Sequence, residues 1–298
     1  MDLFKSKSGI VDEDQLINTF SQLELYGKDV LIYSRLLSLG RFFGKESVTR
    51  FLEILKEQVG SNGTIVIPTY TLNSYQNPRV FNIKSSKIMS GVLGELANQD
   101  LDFNRTIHPV YSNCLYGKNT DYYLQQDATT CFGVGSFFDL FSRNHSSLVL
   151  MIGLNFNGPT LYHYYDQKYN AKGRFLKDFQ IEMNIDKYKF NMNFNSYVKD
   201  YDYYKDKMNC LARFDALLNR FDKVKTLPIG DDYIHQIKES DFNKFYKAAL
   251  DVDQDYFLMS SNEIWDDYFM KNNYKIYHNL INDEKCNQII NNLSKSAN

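Results

Sequence analysis

Two helices are predicted in the first part of the chain by the spacing of its apolar residues. Apolar positions recur every three or four residues over 11–25, which is the period of one face of a helix. The same spacing covers residues 46–59 and stops at Gly60, a residue type that commonly follows helix C-termini. Both segments therefore have one face suited to packing against a core.

Three short apolar runs predict buried strands. They cover residues 29–33, 64–68 and 148–153, and each is rich in Val, Ile or Leu with no polar alternation. Continuous apolar runs of this length are typical of strands that are covered on both faces. Strand, helix and strand alternate here, so the sequence predicts a layered α/β domain.

The later part of the chain carries weaker patterns. Residues 168–208 are polar and aromatic with little periodicity, which predicts a lid or an insertion. The final stretch predicts one or two helices and a frayed tail. No linker rich in Pro, Gly or Ser separates these parts, so we predict one main domain over residues 1–252 and a helical C-terminal extension over 253–298.

Composition narrows the functional classes. The chain has 298 residues, of which 43% are hydrophobic, enough for a substantial core. A net charge of -2 disfavours a nucleic-acid partner. No run of about 18 apolar residues and no signal-peptide pattern are visible, so we expect no membrane partner and a cytoplasmic location. The four cysteines lack CxxC spacing, and we expect no metal.

Aromatic residues are abundant, with 23 tyrosines and 22 phenylalanines. Tyrosine, asparagine and lysine concentrate between residues 162 and 204. One interpretation is a carbohydrate-binding surface, because aromatic rings stack on sugar faces. The other is a genome-wide bias toward these residue types, and the sequence leaves both open.

One segment combines groups suited to acid–base chemistry. His163 and Asp166 follow the third predicted strand after a short loop. If a helix begins at Thr160, the two side chains lie on one helical face. A carboxylate beside an imidazole orients the ring and raises its pKa, as a general base requires. The alternative is an ordinary ion pair on a surface helix.

Further segments stand around this one in a recognisable order. They are the loop 34–40, the strand and turn 63–71, the NRTIHPVYS segment 104–112 and the FGVGSFFDL segment 132–140. In this order and spacing, residues 10–252 resemble the aminoglycoside 3-N-acetyltransferase family, also called the antibiotic N-acetyltransferase fold.

The resemblance implies a fold and a chemistry. The fold is a layered α/β/α domain with a central mixed sheet, and the chemistry is transfer of acetyl from acetyl-CoA to an amine on a sugar-like ring. By motif position His163 is the base and Asp166 its orienting partner, although the family usually has glutamate there. Glu95 and Tyr164 are the residues we assign to substrate binding.

The resemblance also implies a set of cofactor-binding positions. Arg35 is either a partner for a CoA phosphate or a solvated side chain, and His108 is either a site residue or a structural histidine beside Pro109. The positions assigned to acetyl-CoA binding are Ser34, Arg35, Leu36, Leu37, Ser38, Thr69, Tyr70, His108 and Ser112.

Three functional hypotheses follow. The first is an N-acetyltransferase for an amino sugar, nucleotide-linked and destined for a surface glycan, since the modest net charge does not favour a polycationic substrate. The alternative is a 3-N-acetyltransferase that confers aminoglycoside resistance. The third is a binding protein without activity. The sequence determines neither the acceptor amine nor the acyl chain length, and it leaves a homo-oligomer open.

Overall fold

The computed structural model describes residues 1–155, 159–260 and 283–295. These residues form two compact units, each assembled from separate stretches of the chain. The first unit contains Met1–Leu154, Asp178–Ser196 and Lys225–Glu239, and the second contains the described residues of Asn155–Lys177, Tyr197–Val224 and Ser240–Asn298.

The strands of the described residues are short, apart from two of twelve residues each. In chain order they are β1 (Asp2–Ser6), β2 (Gly9–Asp12), β3 (Asp29–Ser34), β4 (Arg41–Phe42), β5 (Thr64–Pro68), β6 (Val80–Asn82), β7 (Asn104–Arg105), β8 (Asn113–Gly117), β9 (Ser147–Ile152), β10 (Arg174–Ile185), β11 (Tyr188–Lys199), β12 (Lys207–Asn209), β13 (Lys225–Ile229), β14 (Asp232–Lys238) and β15 (Leu258–Ser260).

Helices connect or flank these strands. They are α1 (Glu13–Ser21), α2 (Lys45–Val59), α3 (Val92–Gln99), α4 (Thr120–Leu124), α5 (Phe137–Ser142), α6 (Leu161–Lys168), α7 (Ala212–Arg220), α8 (Glu239–Val252) and a further helix at Asp283–Lys295, with 3₁₀ turns at Leu36–Ser38 and Leu72–Tyr75.

A seven-stranded mixed sheet forms the centre of the first unit, in the order β13–β14–β9–β3–β5–β8–β7. Strand β3 runs parallel to β5 and to β9, and the remaining pairs are antiparallel. Helix α2 connects β3 to β5, as a parallel pair requires a crossover. The predicted α/β fold with a central mixed sheet is confirmed.

Helices α1 and α2 pack together beside this sheet. Val30 and Ile32 of β3 share one hydrophobic cluster with Phe51 of α2, and the Phe20 ring of α1 meets the Phe51 ring edge-on at 5.6 Å. Helix α1 begins at a capping box in which Asp12 accepts a hydrogen bond from a backbone N–H three residues on. The apolar faces predicted for both helices are therefore the faces that bury.

Two smaller sheets belong wholly or mainly to the first unit. Strands β2, β1 and β4 form an antiparallel sheet, and the hairpin of β10 and β11 adds β6 at its parallel edge. Both long strands lie in the segment predicted as a lid or insertion. That role stays a prediction, and the segment itself is a β-hairpin followed by a turn region.

The second unit has an aromatic core. Tyr246 stacks on Phe257 with ring centroids 4.4 Å apart, and Phe214 contacts Phe242 at 4.6 Å. Tyr165 stacks on Phe242 at 5.6 Å. Part of the tyrosine-rich composition therefore fills a core, while tyrosines such as Tyr188 and Tyr201 are exposed on the surface.

The predicted boundary at residue 252 stays a prediction. The compact units divide the chain elsewhere, because strands from distant stretches complete the central sheet. Of the predicted C-terminal extension, residues 261–282 and 296–298 lie outside the described residues. The described part contains β15 and the helix Asp283–Lys295. No helix among the described residues is long and apolar enough to cross a membrane.

Candidate active site

Helix α6 brings His163 and Asp166 together as the sequence predicts. The two residues are three apart, and Nδ1 of His163 lies 3.5 Å from Oδ2 of Asp166. The histidine side chain keeps 21% of its surface exposed, whereas the aspartate is buried. The carboxylate therefore lies on the Nδ1 side of the ring, and Nε2 is the nitrogen away from it.

Asp166 is shared with two further side chains of the second unit. The Tyr246 hydroxyl donates a hydrogen bond of 2.7 Å to Oδ1. Nε of Arg174 lies 3.1 Å from Oδ2, and the arginine side chain is only 3% exposed. A buried carboxylate needs compensating charge and hydrogen bonds, and these two residues supply them.

The pKa of His163 differs from the expectation. Burial lowers it to about 4, because desolvation disfavours the imidazolium. Hydrogen bonding to Asp166 acts to raise the pKa, while the Arg174 cation acts to lower it. The prediction of a raised pKa is wrong, since burial outweighs the carboxylate. His163 is consequently neutral near pH 7.

Arg174 and Tyr246 belong to this candidate cluster, and the sequence analysis singled out neither of them. Arg174 begins β10, and Tyr246 lies on α8, 80 residues after Asp166. Neither stands in a recognisable motif. Only the folded second unit brings them to the same carboxylate.

The C-terminal ends of three parallel strands form a second cluster, in the first unit. Ser34 at the end of β3 pairs with Ile152 at the end of β9, and β5 ends at Pro68. Strand β3 has parallel neighbours on both sides, so the strand order changes direction there. Ligands of α/β sheets bind outside the carboxyl ends at such a point.

The loop after β3 is attached to the end of β9. The Ser38 hydroxyl lies 2.8 Å from the Arg35 carbonyl and 2.9 Å from the Gly153 carbonyl. Leu36 is buried, whereas Arg35 and Leu37 are exposed. Leu36 and Ser38 thus anchor the loop. The side chains of Arg35 and Leu37, which alternate with them, face solvent.

Thr69 and Ser112 lie in a buried cluster around Arg105. Both Nε and Nη2 of Arg105 donate to the Ser112 hydroxyl, and Nη2 also donates to the Thr69 carbonyl at 3.0 Å. The Ser112 hydroxyl in turn donates to the Thr69 carbonyl at 2.9 Å. Arg105 and Ser112 thus stabilise the backbone that follows β5. Contact of Thr69 and Ser112 with a ligand stays a prediction.

His108 has the environment of a structural histidine. Its Nδ1 accepts hydrogen bonds from the backbone N–H groups of Val110 and Tyr111, at 3.1 and 2.9 Å. Burial lowers the pKa of His108 to about 3. These contacts favour the structural alternative for this residue. Tyr70 is also buried, with its ring edge-on to Tyr111 at 5.2 Å.

The two residues assigned to substrate binding, Glu95 and Tyr164, lie in different units. Tyr164 belongs to the second unit and is buried, with its ring 5.0 Å from Tyr165. Glu95 belongs to the first unit, where it lines a cavity of about 840 Å³ together with Leu37. The structure therefore brings one predicted cofactor residue and one predicted substrate residue to the same cavity.

A family comparison decides the identity of the fold. The sequence model named "Aminoglycoside 3-N-acetyltransferase" matches residues 31–251, well over half of the chain. The chain belongs to this family. Members of this family are N-acyltransferases that use acetyl-CoA, and the chain is therefore one as well. The resemblance inferred from the sequence motifs is confirmed.

Solved structures support the fold. Aminoglycoside acetyltransferase AAC(3)-IVa, as apoenzyme, is 17% identical with a TM-score of 0.63, and the match covers 82% of this chain and 90% of that one. AAC-IIIb, solved as a binary complex with CoASH, is 16% identical with a TM-score of 0.64, covering 81% and 96%. YokD from Bacillus subtilis is 18% identical with a TM-score of 0.62, covering 79% and 96%.

No sequence among the curated proteins matches this chain. Within the residues that the structure describes, no group of three or more His, Cys, Asp and Glu side chains is placed to hold a metal ion.

Proposed function

We propose that the protein transfers acetyl from acetyl-CoA to an amine of an aminoglycoside-type acceptor, with His163 as general base. The observation that carries this proposal is the half-buried, neutral imidazole of His163, with its Nδ1 3.5 Å from the Asp166 carboxylate. The family match over residues 31–251 supports the reaction class.

The reaction needs one proton acceptor. The neutral amine attacks the thioester carbonyl, a C–N bond forms, and the C–S bond to CoA breaks as the tetrahedral intermediate collapses. The nitrogen becomes acidic as it attacks, and Nε2 of His163 accepts its proton. The proton then passes to the departing sulfur. Asp166 stabilises the imidazolium that forms between these two steps.

The acceptor class rests on the family and on its solved members. AAC(3)-IVa has been solved in complexes with a gentamicin and with apramycin, and AAC-VIa with sisomicin. These comparisons support the aminoglycoside alternative better than the nucleotide-linked amino sugar that the sequence analysis placed first. The net charge of -2 is the observation that favours the amino sugar as a second candidate.

Thiol release from acetyl-CoA tests the acceptor directly. A panel of aminoglycosides and nucleotide-linked amino sugars should give turnover with the aminoglycosides. Turnover with a nucleotide sugar alone would replace the first acceptor class with the second. No turnover with either group would contradict the proposal and favour the third hypothesis, a binding protein.

His163→Ala tests the base. We expect at least a hundredfold loss of kcat, since general-base catalysis contributes about 10²–10⁴-fold, while acetyl-CoA binding measured by calorimetry is retained. The matched control is His145→Ala, because His145 is exposed and lies outside the site. Unchanged kcat in the His163 variant would remove the proposed base.

The cytoplasmic location stays a prediction, and a homo-oligomer stays open. Neither bears on the proposed base, because His163 and Asp166 both lie in the second unit.

A further inference from the structure

The imidazole ring of His163 is in contact with the ring of the residue before it. The ring centroids of Tyr162 and His163 are 3.9 Å apart, and the ring planes make an angle of 47°. Both residues lie in the first turn of α6. Consecutive side chains of a helix point about 100° apart and do not normally face each other. A lasting contact between these two rings therefore needs a further group that holds the tyrosine in place.

A hydrogen bond from a distant strand supplies that restraint. Nδ2 of Asn209 donates to the hydroxyl oxygen of Tyr162 at 3.1 Å. Asn209 is the last residue of β12 and follows Tyr162 by 47 residues. Both residues belong to the second unit. The phenol is thus fixed at both ends, by the backbone of α6 and by an amide on β12.

The backbone that carries Asn209 is fixed in its turn. Strand β12 pairs antiparallel with β15, and Asn209 lies opposite Leu258 in the register. Nη1 of Arg213, on α7, donates to the carbonyl oxygens of Tyr256 and Leu258 at 3.1 and 2.8 Å. The strand partner of Asn209 is therefore attached to a helix, which makes the amide a fixed donor for the phenol.

The contact with Tyr162 also shields His163 from water. The histidine side chain keeps only 21% of its surface exposed, and the Asp166 carboxylate lies on its Nδ1 side. Desolvation is the main reason why the pKa of His163 is lowered to about 4. A ring in contact with the imidazole excludes water from part of its surface. Tyr162 therefore contributes to this desolvation.

The charged groups that act on His163 are different residues. Asp166 of α6 acts to raise the pKa of the histidine, whereas Arg174 of β10 and Lys199 at the end of β11 act to lower it. Tyr162 is uncharged near pH 7, because burial raises its own pKa to about 12. The tyrosine therefore acts on the imidazole through contact and not through charge.

We propose that Tyr162 and Asn209 are positioning residues for the base of the acetyl transfer. The Asn209 amide fixes the phenol, and the phenol ring keeps the imidazole of His163 in one orientation and away from water. The inference rests on the proposed function in that His163 is the base. It goes further, because it adds two residues from separate elements that act on the base without being charged.

The hydrogen bond is tested by removing each of its partners in turn. Tyr162→Phe and Asn209→Ala should each lower kcat about tenfold, since a small displacement of a catalytic group is costly in rate. The KM for acetyl-CoA should stay close to the wild-type value. Because both substitutions break the same bond, the double variant should be no slower than either single variant. Steady-state kinetics of the full-length proteins measure these effects.

A second tyrosine–asparagine pair of the same unit provides the matched control. The Tyr169 hydroxyl donates a hydrogen bond to Oδ1 of Asn243, and the Tyr169 ring stacks on Tyr165 with centroids 6.1 Å apart. Tyr169→Phe and Asn243→Ala should keep a kcat near that of wild type. An equal loss of kcat in the two pairs would contradict a specific action on His163.

A titration of His163 by NMR tests the contact without any turnover. Tyr162→Ala removes the ring and lets water reach the imidazole, so the pKa of His163 should rise from about 4 toward the ordinary value of about 6.5. Tyr162→Phe retains the ring and should keep a pKa close to that of wild type. The control Tyr169→Ala should also leave it unchanged, and the His163→Ala spectrum assigns the signal.

Several results would overturn the inference. They are a wild-type kcat in both Tyr162→Phe and Asn209→Ala, additive losses in the double variant, and the same His163 pKa in Tyr162→Ala as in wild type. If no acceptor supports turnover in the wild-type protein, the proposed function fails, and the NMR titration still decides whether Tyr162 controls the state of His163. Circular dichroism of each variant confirms that it is folded.

Discussion

At the scale of single residues, the Asp166 carboxylate is the centre of the proposed catalytic cluster. It contacts His163, Arg174 and Tyr246 at once. Asp166 and Arg174 have opposite effects on the pKa of His163, because the carboxylate favours a charged imidazole and the guanidinium disfavours one. In the proposed mechanism, Arg174 is therefore a positioning residue that acts on His163 through its charge.

Arg174→Gln should raise the pKa of His163. Removing the cation takes away an effect that lowers this pKa and leaves Asp166 to the histidine alone. The acidic limb of the pH profile of kcat/KM should then move upward from about pH 4 toward the ordinary histidine value of about 6.5. Steady-state kinetics of both proteins between about pH 3.5 and 8 would measure the shift.

The conservative control is Arg174→Lys, which keeps the positive charge and should keep the profile close to wild type. Both substitutions disturb a buried ion pair, so both should cost stability, on the order of 3 kcal/mol for the neutral variant. A purely structural role for Arg174 would give the stability loss without a shift of the profile.

At the scale of elements, the close contact between the end of β9 and the loop after β3 sets the geometry of the strand ends. Gly153 follows β9 at φ 64°, and a Cβ there would lie 2.1 Å from the Ser38 hydroxyl and 2.7 Å from the Arg35 carbonyl. Glycine is needed at this position for its backbone conformation and for the close approach.

Gly153→Ala should displace the loop that holds Arg35 and Ser38. We expect a stability loss of about 1–3 kcal/mol and an increased KM for acetyl-CoA. Denaturant unfolding and initial-rate kinetics measure the two effects. The matched control is Gly9→Ala, since Gly9 also has a positive φ but no atom within 4 Å of its Cβ position. An equal KM in both variants would show that the loop does not touch the cofactor.

Strands that are buried along their whole length were predictable from the sequence, whereas partly exposed strands were not. Strands β3, β5 and β9 are apolar at nearly every position and were predicted from the sequence within about a residue. Strands β10 and β11 were missed, because most positions in the first half of each strand are exposed and show no hydrophobic alternation. Their pairing depends on hydrogen bonds between strands, which composition does not reveal.

At the scale of the whole molecule, buried ionisable groups make stability depend on pH. Glu239, the first residue of α8, is almost completely buried, and burial raises its pKa to about 8. Its folded-state pKa lies above the unfolded value, so its contribution to stability is complete below about pH 4.5 and is lost as pH rises to 8.

Glu239→Gln should therefore be more stable relative to wild type at pH 9 than at pH 6. The expected change in the difference between the two proteins is about 2–3 kcal/mol. Urea unfolding at both values of pH measures it. Glu46→Gln, at an exposed position of α2, should show no such change. The same small change for both variants would mean that Glu239 is ionised in the folded protein.

The sequence by itself determined the family, the α/β class and the His163–Asp166 pair. Each depends on local order: apolar runs predict buried strands, and a spacing of three residues places two side chains on one helical face. The match to the family over residues 31–251 and the distance of 3.5 Å between His163 and Asp166 agree with those predictions.

Only the tertiary structure decided which groups modify that pair. Arg174 and Tyr246 reach Asp166 from β10 and α8, and Asn209 reaches Tyr162 from β12. The pKa of His163 likewise follows from burial, which no local pattern measures. Long-range packing sets desolvation and charge together, and the chemistry of a side chain depends on both.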